Sequence, residues 1–300
     1  MYNFFINLIL GVVKIMFGKR ADGKVVKTND PIFMIIPHIM KKRSDSQVFY
    51  TEELPIAPLD EYIAKKEAEG IKMSYMSIIY AAMVRIICQK PSLNRFVVNG
   101  KVYARNSIAV SLAIKKGLSE DAEETNLKLH FSGSENIFEV KERLEREIAD
   151  NKDTEAKNST DNFVRALAYI PNWVIKIVVN FLMFLDKHEL LPKAIIELSP
   201  FHTSAYLTNV GSLGIDAIYH HLYDFGTTGM FLAMGKKRKS YIYEEDSIKE
   251  TKALSIRWVL DERICDGYYY ASAVKLFNKY MKKPELLEEN IEPLCDLSKR

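Results

Sequence analysis

The sequence predicts an α/β fold, a two-layer sandwich in which helices pack on one face of a mixed β-sheet. Helix and strand signals alternate along the chain without the strict strand–helix rhythm of a doubly wound parallel sheet, and no internal repeat is present. The chain has 300 residues, of which 48% are hydrophobic and 27% charged. A chain of this length and composition can bury a sizeable core.

The N-terminal segment predicts an amphipathic helix. Residues 1–18 are apolar apart from a narrow polar stripe that holds Asn3, Asn7 and Lys14. The segment lacks the basic start and the small-residue cleavage site of a signal peptide, and it is shorter than the ~20 clean apolar residues of a membrane span. We therefore expect residues 1–20 to form a helix that precedes one domain over residues 21–300.

The first half of that domain contains strong strand and helix signals. Val48–Leu54 predicts a strand, and Ser74–Gln89 predicts a largely apolar helix that ends before a proline. Phe96–Tyr103 predicts a hairpin, because its central Asn-Gly pair supplies the two positive φ angles of a type I′ turn. Ser107–Lys115 alternates large and small apolar residues, which predicts a strand covered on both faces.

A helix, a loop and a second apolar helix are predicted next. Asn136–Asp150 has the spacing of an amphipathic helix, and Asn151–Asp161 is polar and predicts a surface loop. Trp173–Leu185 predicts a helix that is apolar except for one polar face, and Pro171 is suited to its first turn. This helix belongs to an apolar helical insertion near residues 162–192.

The two apolar helices leave three arrangements open. Residues 1–18 and 171–187 can pack on each other, pack on a partner subunit, or lie in a membrane interface. Their polar faces are only weakly basic, which favours packing over membrane contact. We expect a cytoplasmic protein, with peripheral membrane contact through these two segments as the alternative.

The last third of the chain returns to strands. Thr203–Val210, Gly229–Gly235 and Ala253–Leu260 predict strands, and Tyr268–Lys282 predicts a helix that ends before a proline. The basic run Lys236–Lys239 is typical of a solvated loop.

Composition excludes several classes of function. The 42 Lys and Arg residues nearly balance the 39 Asp and Glu residues, and a net charge of +3 gives no electrostatic footprint for nucleic acid. Cys88, Cys265 and Cys295 are too few and too scattered for a disulfide framework or a zinc site, so no metal is expected. An odd number of cysteines fits a reducing cytosol. The sequence also lacks the phosphate-loop, serine-elbow, zincin and dinucleotide-binding motifs.

Two segments carry a specific resemblance. Trp258–Gly267 is WVLDERICDG, and roughly fifty residues upstream Leu207–Gly214 is LTNVGSLG. The first resembles the D-H-R-x-x-D-G or H-H-x-x-x-D-G signature of the CoA-dependent acyltransferases, and the second resembles their S-N-x-G strand end. That superfamily includes chloramphenicol acetyltransferase and the catalytic domain of the dihydrolipoyl acyltransferases. The likeness extends over residues 30–285 and implies a chloramphenicol acetyltransferase-like fold, in which Asn209 has a structural role.

The resemblance implies transfer of an acyl group from a coenzyme A thioester to a small-molecule or lipidic acceptor. In the family, a histidine takes the proton of the acceptor hydroxyl or thiol, and a hydroxyl at the upstream strand end hydrogen-bonds the tetrahedral oxyanion. The family forms trimers with the site in a channel between subunits, so a homotrimer is expected. Neither a lipoyl-bearing module nor a lipoyl group is expected.

The family positions are partly matched in this sequence. Thr208 stands at the position of the oxyanion-binding hydroxyl, as a conservative replacement for serine. Asp266 and Gly267 match the Asp-Gly pair, whose aspartate typically pairs with an arginine. Lys42 or Arg43 could supply that cation.

The base position departs from the family. Glu262 stands where the histidine belongs; burial could raise its pKa and make it a base, but an ion pair with Arg263 or a neighbouring strand is favoured. The pair His220-His221, a dozen residues after Thr208, offers a second candidate base. The alternative function is a non-catalytic homologue, a ligand-binding or scaffold protein that kept the fold and lost the base.

Overall fold

The computed structural model describes residues 20–27, 31–115, 117, 124–152, 170–244 and 246–292. The predicted helix over residues 1–18 lies outside these residues. So do most of the predicted loop after residue 152 and the beginning of the predicted insertion, residues 162–169.

A six-stranded mixed sheet organises the described part of the chain. Its order is β2–β9–β8–β7–β5–β6, and β7 runs parallel to both of its neighbours while the other pairs are antiparallel. The strands are β2 (Gln47–Pro55), β5 (Ile108–Lys115), β6 (Glu124–Phe131), β7 (Ala205–Asn209), β8 (Met230–Glu244) and β9 (Ser247–Asp261). A three-stranded sheet has the order β1–β4–β3, formed by β1 (Gly23–Val25), β3 (Arg95–Val98) and β4 (Lys101–Arg105).

Helices cover one face of the large sheet, which confirms the predicted fold class. The helices are α1 (Pro31–Ile39), α2 (Ala57–Ala68), α3 (Tyr75–Gln89), α4 (Ile137–Lys152), α5 (Asn172–Lys187), α6 (Lys193–Leu198) and α7 (Gly267–Lys282). Helices α2, α3, α4 and α7 share one apolar core with this face. Trp258 of β9 meets Phe277 of α7 edge to face, with ring centroids 5.0 Å apart, and both side chains are fully buried.

The other face of the sheet carries a smaller apolar cluster. Successive side chains of a strand point to opposite faces, so Tyr206, Phe231 and Val259 point away from the helices. They pack with Leu222, which belongs to the segment between β7 and β8. This face is therefore covered by loop rather than by helix.

The local signals of the first half act as expected. Ser74 is the N-cap of α3, and its hydroxyl accepts a hydrogen bond from the backbone N–H of Ser77 at 3.1 Å. Asn99 and Gly100 connect β3 to β4 with φ angles of 51° and 71°, which are the positive values that a type I′ turn requires.

The basic run Lys236–Lys239 is a strand rather than the predicted loop. It lies within β8, which pairs with β9 along a hairpin much longer than the predicted strands. A register shift lies between Met234 and Lys237. All four side chains of the run are exposed, and two of them bind carboxylates: Arg238 Nε donates to Glu53 at 2.9 Å, and Lys239 Nζ lies 2.9 Å from Glu250. Cross-strand pairs of opposite charge stabilise such a ribbon.

The second apolar helix is present as α5. Pro171 is its N-cap, one position before the first turn in which it was predicted. Only Leu185 and Asp186 of this helix are buried. Among the described residues, no helix combines the length and the apolarity needed to cross a bilayer.

Candidate functional site

A cavity of about 800 Å³ opens at the end of β7. Thr208 and Asn209 end that strand and line the cavity together with Tyr206, His220 and Phe231. Because Ala205 and Leu207 belong to the main core, alternation turns Tyr206 and Thr208 toward the loop-covered face. The Thr208 hydroxyl has no hydrogen-bond partner among the described residues and is therefore available to a ligand.

The turn after Thr208 is held by side-chain hydrogen bonds. The Asn209 amide oxygen accepts from the backbone N–H of Ser212 at 3.2 Å, and the Ser212 hydroxyl donates to the Asn209 carbonyl at 2.7 Å. A Cβ atom at Gly211 would lie 2.3 Å from the carbonyl oxygen of Gly235 in β8. Only glycine allows so close an approach of two backbones, so this contact fixes the position of the Thr208 strand end.

His220 is held over the same cavity by aromatic stacking. Its ring lies 4.4 Å from the Phe231 ring at an interplanar angle of 17°, and Phe231 stacks on Tyr206 at 4.9 Å. The Nε2 atom is buried and has no hydrogen-bond partner in the described chain. Burial lowers the pKa of His220, and the charge of His221 lowers it further. The imidazole is therefore neutral near neutral pH and able to accept a proton.

His221 does not join His220. Its side chain is exposed and meets the edge of Tyr223 at 4.7 Å, and it is not among the residues that line the cavity. The structure thus brings one of the two predicted histidines to Thr208 and not the other.

The corner between β9 and α7 is built on Asp261 rather than on Glu262. The Asp261 carboxylate is fully buried and accepts hydrogen bonds from Arg263 at 2.8 and 2.7 Å and from Ser46 at 2.9 Å. Arg43 Nε lies 3.5 Å from the same carboxylate. Burial by itself would raise the pKa of Asp261, but the Arg263 and Arg43 guanidinium groups hold it below the usual range.

These contacts correct two predictions. Neither cation expected for Asp266 pairs with it among the described residues: Arg43 lies beside Asp261 and donates to the carbonyl of Tyr223 at 2.7 Å, and Lys42 is exposed without a carboxylate partner. The predicted ion pair of Glu262 with Arg263 is absent from the described residues, because Asp261 occupies that guanidinium. Alternation along β9 explains both results: Asp261 points to the loop-covered face, like Val259, and is buried there, whereas Glu262 is exposed just past the strand end.

Asp266 and Gly267 begin α7. The Asp266 carboxylate accepts a hydrogen bond from the backbone N–H of Tyr269 at 2.7 Å and caps the helix. Gly267 is exposed, and a Cβ atom there would meet nothing within 4 Å. The Asp-Gly pair of the signature thus sets the start of a helix in this chain.

Thr208 and Glu262 lie at different places on one subunit. Thr208 pairs with Ala233, which pairs with Arg257. Asp261 is four residues beyond Arg257, about 13 Å along the strand, and two strand spacings add about 10 Å across the sheet. The cavity at Thr208 therefore contains His220, whereas Glu262 and Asp266 are outside its lining.

A second cavity, of about 680 Å³, has a cationic lining that the sequence did not predict. His38, Lys41, Lys42 and Lys187 line it, as do Arg43 and Arg263 of the Asp261 cluster. The adjacent Lys41, Lys42 and Arg43 were the available signal, but their sequence gives no indication that Lys187 joins them.

Two further chemistries are not supported by the described residues. No three His, Cys, Asp or Glu side chains there converge on a site for a metal ion. Burial raises the pKa of the Cys265 thiol to about 12, so this cysteine of the signature is a buried thiol and not a thiolate nucleophile.

Comparisons with known proteins relate part of this chain to one family model and its fold to several solved structures. Residues 202–288 match the profile of the family described as 2-oxoacid dehydrogenases acyltransferase (catalytic domain). This stretch contains Thr208, both histidines and the β9–α7 corner. No curated protein matches the sequence.

Solved structures of low sequence identity share the fold. The cubic core of the pyruvate dehydrogenase multienzyme complex is 9% identical, with a TM-score of 0.57 over 88% of this chain and 94% of that one. A dihydrolipoamide acetyltransferase from Azotobacter vinelandii is 12% identical, with a TM-score of 0.55 over 88% and 94%. A probable dihydrolipoamide acetyltransferase from Listeria monocytogenes is 14% identical, with a TM-score of 0.53 over 91% and 98%. The resemblance inferred from the two motifs is confirmed for the fold.

Proposed function

We propose that this chain, which has the fold of the CoA-dependent acyltransferases, transfers an acyl group from a coenzyme A thioester to a small acceptor. In this proposal, Thr208 stabilises the tetrahedral oxyanion and His220 is the general base. The observation that carries it is the lining of one cavity by an unpartnered threonine hydroxyl and a neutral imidazole.

The proposed step needs no covalent enzyme intermediate. His220 takes the proton of the acceptor hydroxyl or thiol while that atom attacks the thioester carbonyl carbon. The Thr208 hydroxyl donates a hydrogen bond to the oxyanion that forms. Collapse of the intermediate expels the CoA thiolate, which takes the proton back from the His220 imidazolium. The products are the acylated acceptor and free coenzyme A.

The comparison with the Azotobacter vinelandii enzyme supports the choice of Thr208 and leaves the choice of His220 to the geometry of the cavity. That structure was determined to study the catalytic roles of a serine, a histidine and an asparagine, the last two being four residues apart. In this chain, Thr208 corresponds to the serine, and Glu262 and Asp266 have the same four-residue spacing. Glu262 is exposed and lies outside the lining of the Thr208 cavity, so the proposal gives the role of base to His220.

We further propose a homotrimer, in keeping with the trimers of the family. The Glu262 corner would then face a neighbouring subunit. The proposed mechanism uses neither a metal ion nor a lipoyl group attached to the protein.

Substitution of His220 tests the proposal, with its exposed neighbour as the control. The assay uses acetyl-CoA with dihydrolipoamide or a simple alcohol, and chromatography measures conversion of acetyl-CoA to coenzyme A. We expect His220→Gln to lower kcat by about 10²–10⁴, whereas His221→Gln, the matched exposed neighbour, changes it by less than about threefold. Failure of the full chain to bind acetyl-CoA in calorimetry, or equal activity of the His220→Gln variant, would refute it.

The non-catalytic homologue is the second candidate, favoured by the exposed carboxylate at the family's histidine position. Glu262→His distinguishes the two functions. A large gain in transfer rate at unchanged stability would identify a site that has lost its base. A rate unchanged by Glu262→His but abolished by His220→Gln would support the enzyme.

A further inference from the structure

Helix α5 presents an apolar stripe to solvent. Trp173, Ile177, Phe181 and Phe184 follow one another at spacings of four, four and three residues and therefore share one line along the helix. All four are exposed, Trp173 by 67%. A single exposed apolar residue is ordinary, but a continuous stripe of large ones marks an interaction surface.

A polar stripe with two lysines lies directly beside it. Lys176, Asn180 and Lys187 repeat at four and seven residues along the neighbouring line, and all three are exposed. Neither ammonium group forms an ion pair with a described carboxylate. An exposed apolar stripe with free lysines along its edge is the pattern of a helix that lies in a membrane interface.

Helix α1 continues this surface. Ile32, Ile35 and Ile39 share one face of α1 at spacings of three and four residues, and Ile39 is 70% exposed. The cationic cavity joins the two helices, because α1 contributes His38 to its lining and α5 contributes Phe184 and Lys187. We call the exposed faces of α1 and α5, with this cavity between them, the α1–α5 surface.

The α1–α5 surface is cationic. Lys41 and Lys42 are exposed at the cavity and, like the two lysines of α5, have no carboxylate partner among the described residues. The two carboxylates of the lining are engaged: Asp186 lies 2.8 Å from Arg20, and Asp224 accepts from Ser44 at 3.0 Å. The three lysines of the lining outnumber these two carboxylates, so positive charge is left for an external partner.

We propose that the α1–α5 surface docks on an anionic lipid bilayer. The apolar side chains would enter the boundary between headgroups and acyl chains, and the lysines would lie among the lipid phosphates. A helix of 16 residues is about 24 Å long and too short to cross the ~30 Å hydrocarbon core, so α5 would lie in the plane of the membrane.

Charge and chain connection favour a bilayer over a second copy of the chain. A two-fold contact places the same patch on both subunits, which would bring the free lysines of both copies together. Residues 1–19 join the described chain at Arg20, beside Asp186 in the last turn of α5. Their sequence is apolar around nearly the whole helical circumference, so covering α5 with them would leave another apolar face uncovered.

The two tryptophans of the chain provide the test. Trp173 lies in the stripe, whereas Trp258 is fully buried in the core. Vesicles of phosphatidylcholine with phosphatidylglycerol are added to the full chain, and tryptophan emission is recorded with and without brominated lipid. We expect a blue shift and bromine quenching that both disappear in Trp173→Phe, since residues 1–19 contain no tryptophan.

Flotation of substituted full-length chains completes the test. Lys176→Gln with Lys187→Gln should lower the partition coefficient on the order of 25-fold, at about fivefold per lysine. Trp173→Asp with Phe181→Asp should lower it by at least about tenfold. Ile248→Asp is the matched control, because Ile248 is 73% exposed on the β8–β9 hairpin; it should float like the wild type.

Three results would overturn the proposal. They are absence of flotation on anionic vesicles, equal flotation on pure phosphatidylcholine, and wild-type flotation of both double variants. The last result would assign binding to residues 1–19 alone. Self-association that the double variants abolish, without vesicle binding, would assign the surface to a second copy.

Discussion

At the scale of single residues, the charge state of His220 follows from its position in the fold. The ring is half-buried between the loop and Phe231 and lies beside a second histidine. Both the burial and the neighbouring charge disfavour the imidazolium. His220 is thus in the neutral form that a general base requires.

The pH dependence of the transfer rate should reflect this. The neutral imidazole is the active form, and the pKa of His220 lies below its ordinary value of 6.5. We therefore expect kcat/KM to be constant above about pH 6.5 and to fall as the pH drops through a lower value. The acid limb should disappear in His220→Gln and persist in Glu262→Gln; an acid limb that instead depends on Glu262 would contradict the assignment.

Thr208 allows a conservative control. Thr208→Val removes the hydroxyl at nearly the same volume and should lower kcat by about 10²–10³, with little change in KM. Thr208→Ser keeps the hydroxyl and should keep most of the rate. Steady-state kinetics with acetyl-CoA measures both, and a serine variant as inactive as the valine variant would mean that the residue acts through packing.

How much the sequence could predict about the site depended on where each residue lies in the fold. Thr208 was identified because it ends a regular strand inside a motif. The contacts of His220 could not be predicted, because this residue lies in the irregular segment between β7 and β8. In such a segment no periodicity indicates in which direction a side chain points. The Arg43–Asp261 contact joins residues far apart in the chain, and strand alternation could indicate the face to which Asp261 points but not which cation it meets.

At the scale of elements, the β9–α7 corner is held by a buried charge cluster. Asp261 is enclosed by two guanidinium groups and the Ser46 hydroxyl. The backbone N–H of Glu262 donates to the Ser46 carbonyl at 2.8 Å, which ties the corner to the chain just before β2. Removal of one member leaves the others buried without their partner.

Asp261→Asn should destabilise the fold by about 3–5 kcal/mol. The folded-state pKa of Asp261 is lowered, so its contribution is fully present above the unfolded value of ~3.9 and is lost as the pH falls through the folded value. Urea unfolding at neutral and acid pH should show a smaller loss of stability on acidification in the variant. Glu262→Gln is the exposed control and should stay within about 0.5 kcal/mol of the wild type.

Elements with strong local signals were predicted almost to the residue. Helix α3 has a serine cap and a terminal proline, and the β3–β4 turn has its Asn-Gly pair. The distal part of the β8–β9 hairpin was missed because charged residues such as Lys237 and Lys239 lack an apolar alternation. Helix α1 was missed because it is short and contains Pro37.

At the scale of the whole molecule, the distance between Thr208 and Glu262 within one subunit bears on how subunits would assemble. In one subunit these residues belong to different parts of the sheet, and only a neighbouring subunit could bring a Glu262 corner to a Thr208 cavity. In the proposed trimer, both segments of the signature would contribute to one site.

Light scattering of the full chain should give three times the mass of one subunit. The measurement is made with and without mild detergent, so that association through the α1–α5 surface is distinguished from assembly. A monomer under both conditions, still active in the transfer assay, would show that the Thr208 cavity works without a partner.

The backbone contact between Gly211 and Gly235 also limits how the sequence can change during evolution. The two backbone segments are in direct contact, so even a methyl group on Gly211 would separate the turn after Thr208 from the base of the β8–β9 hairpin. Substitutions and insertions elsewhere could change the loops, the length of the hairpin or the residue that acts as the general base. We expect descendants of this protein to keep this close backbone contact, because it sets the position of the Thr208 cavity.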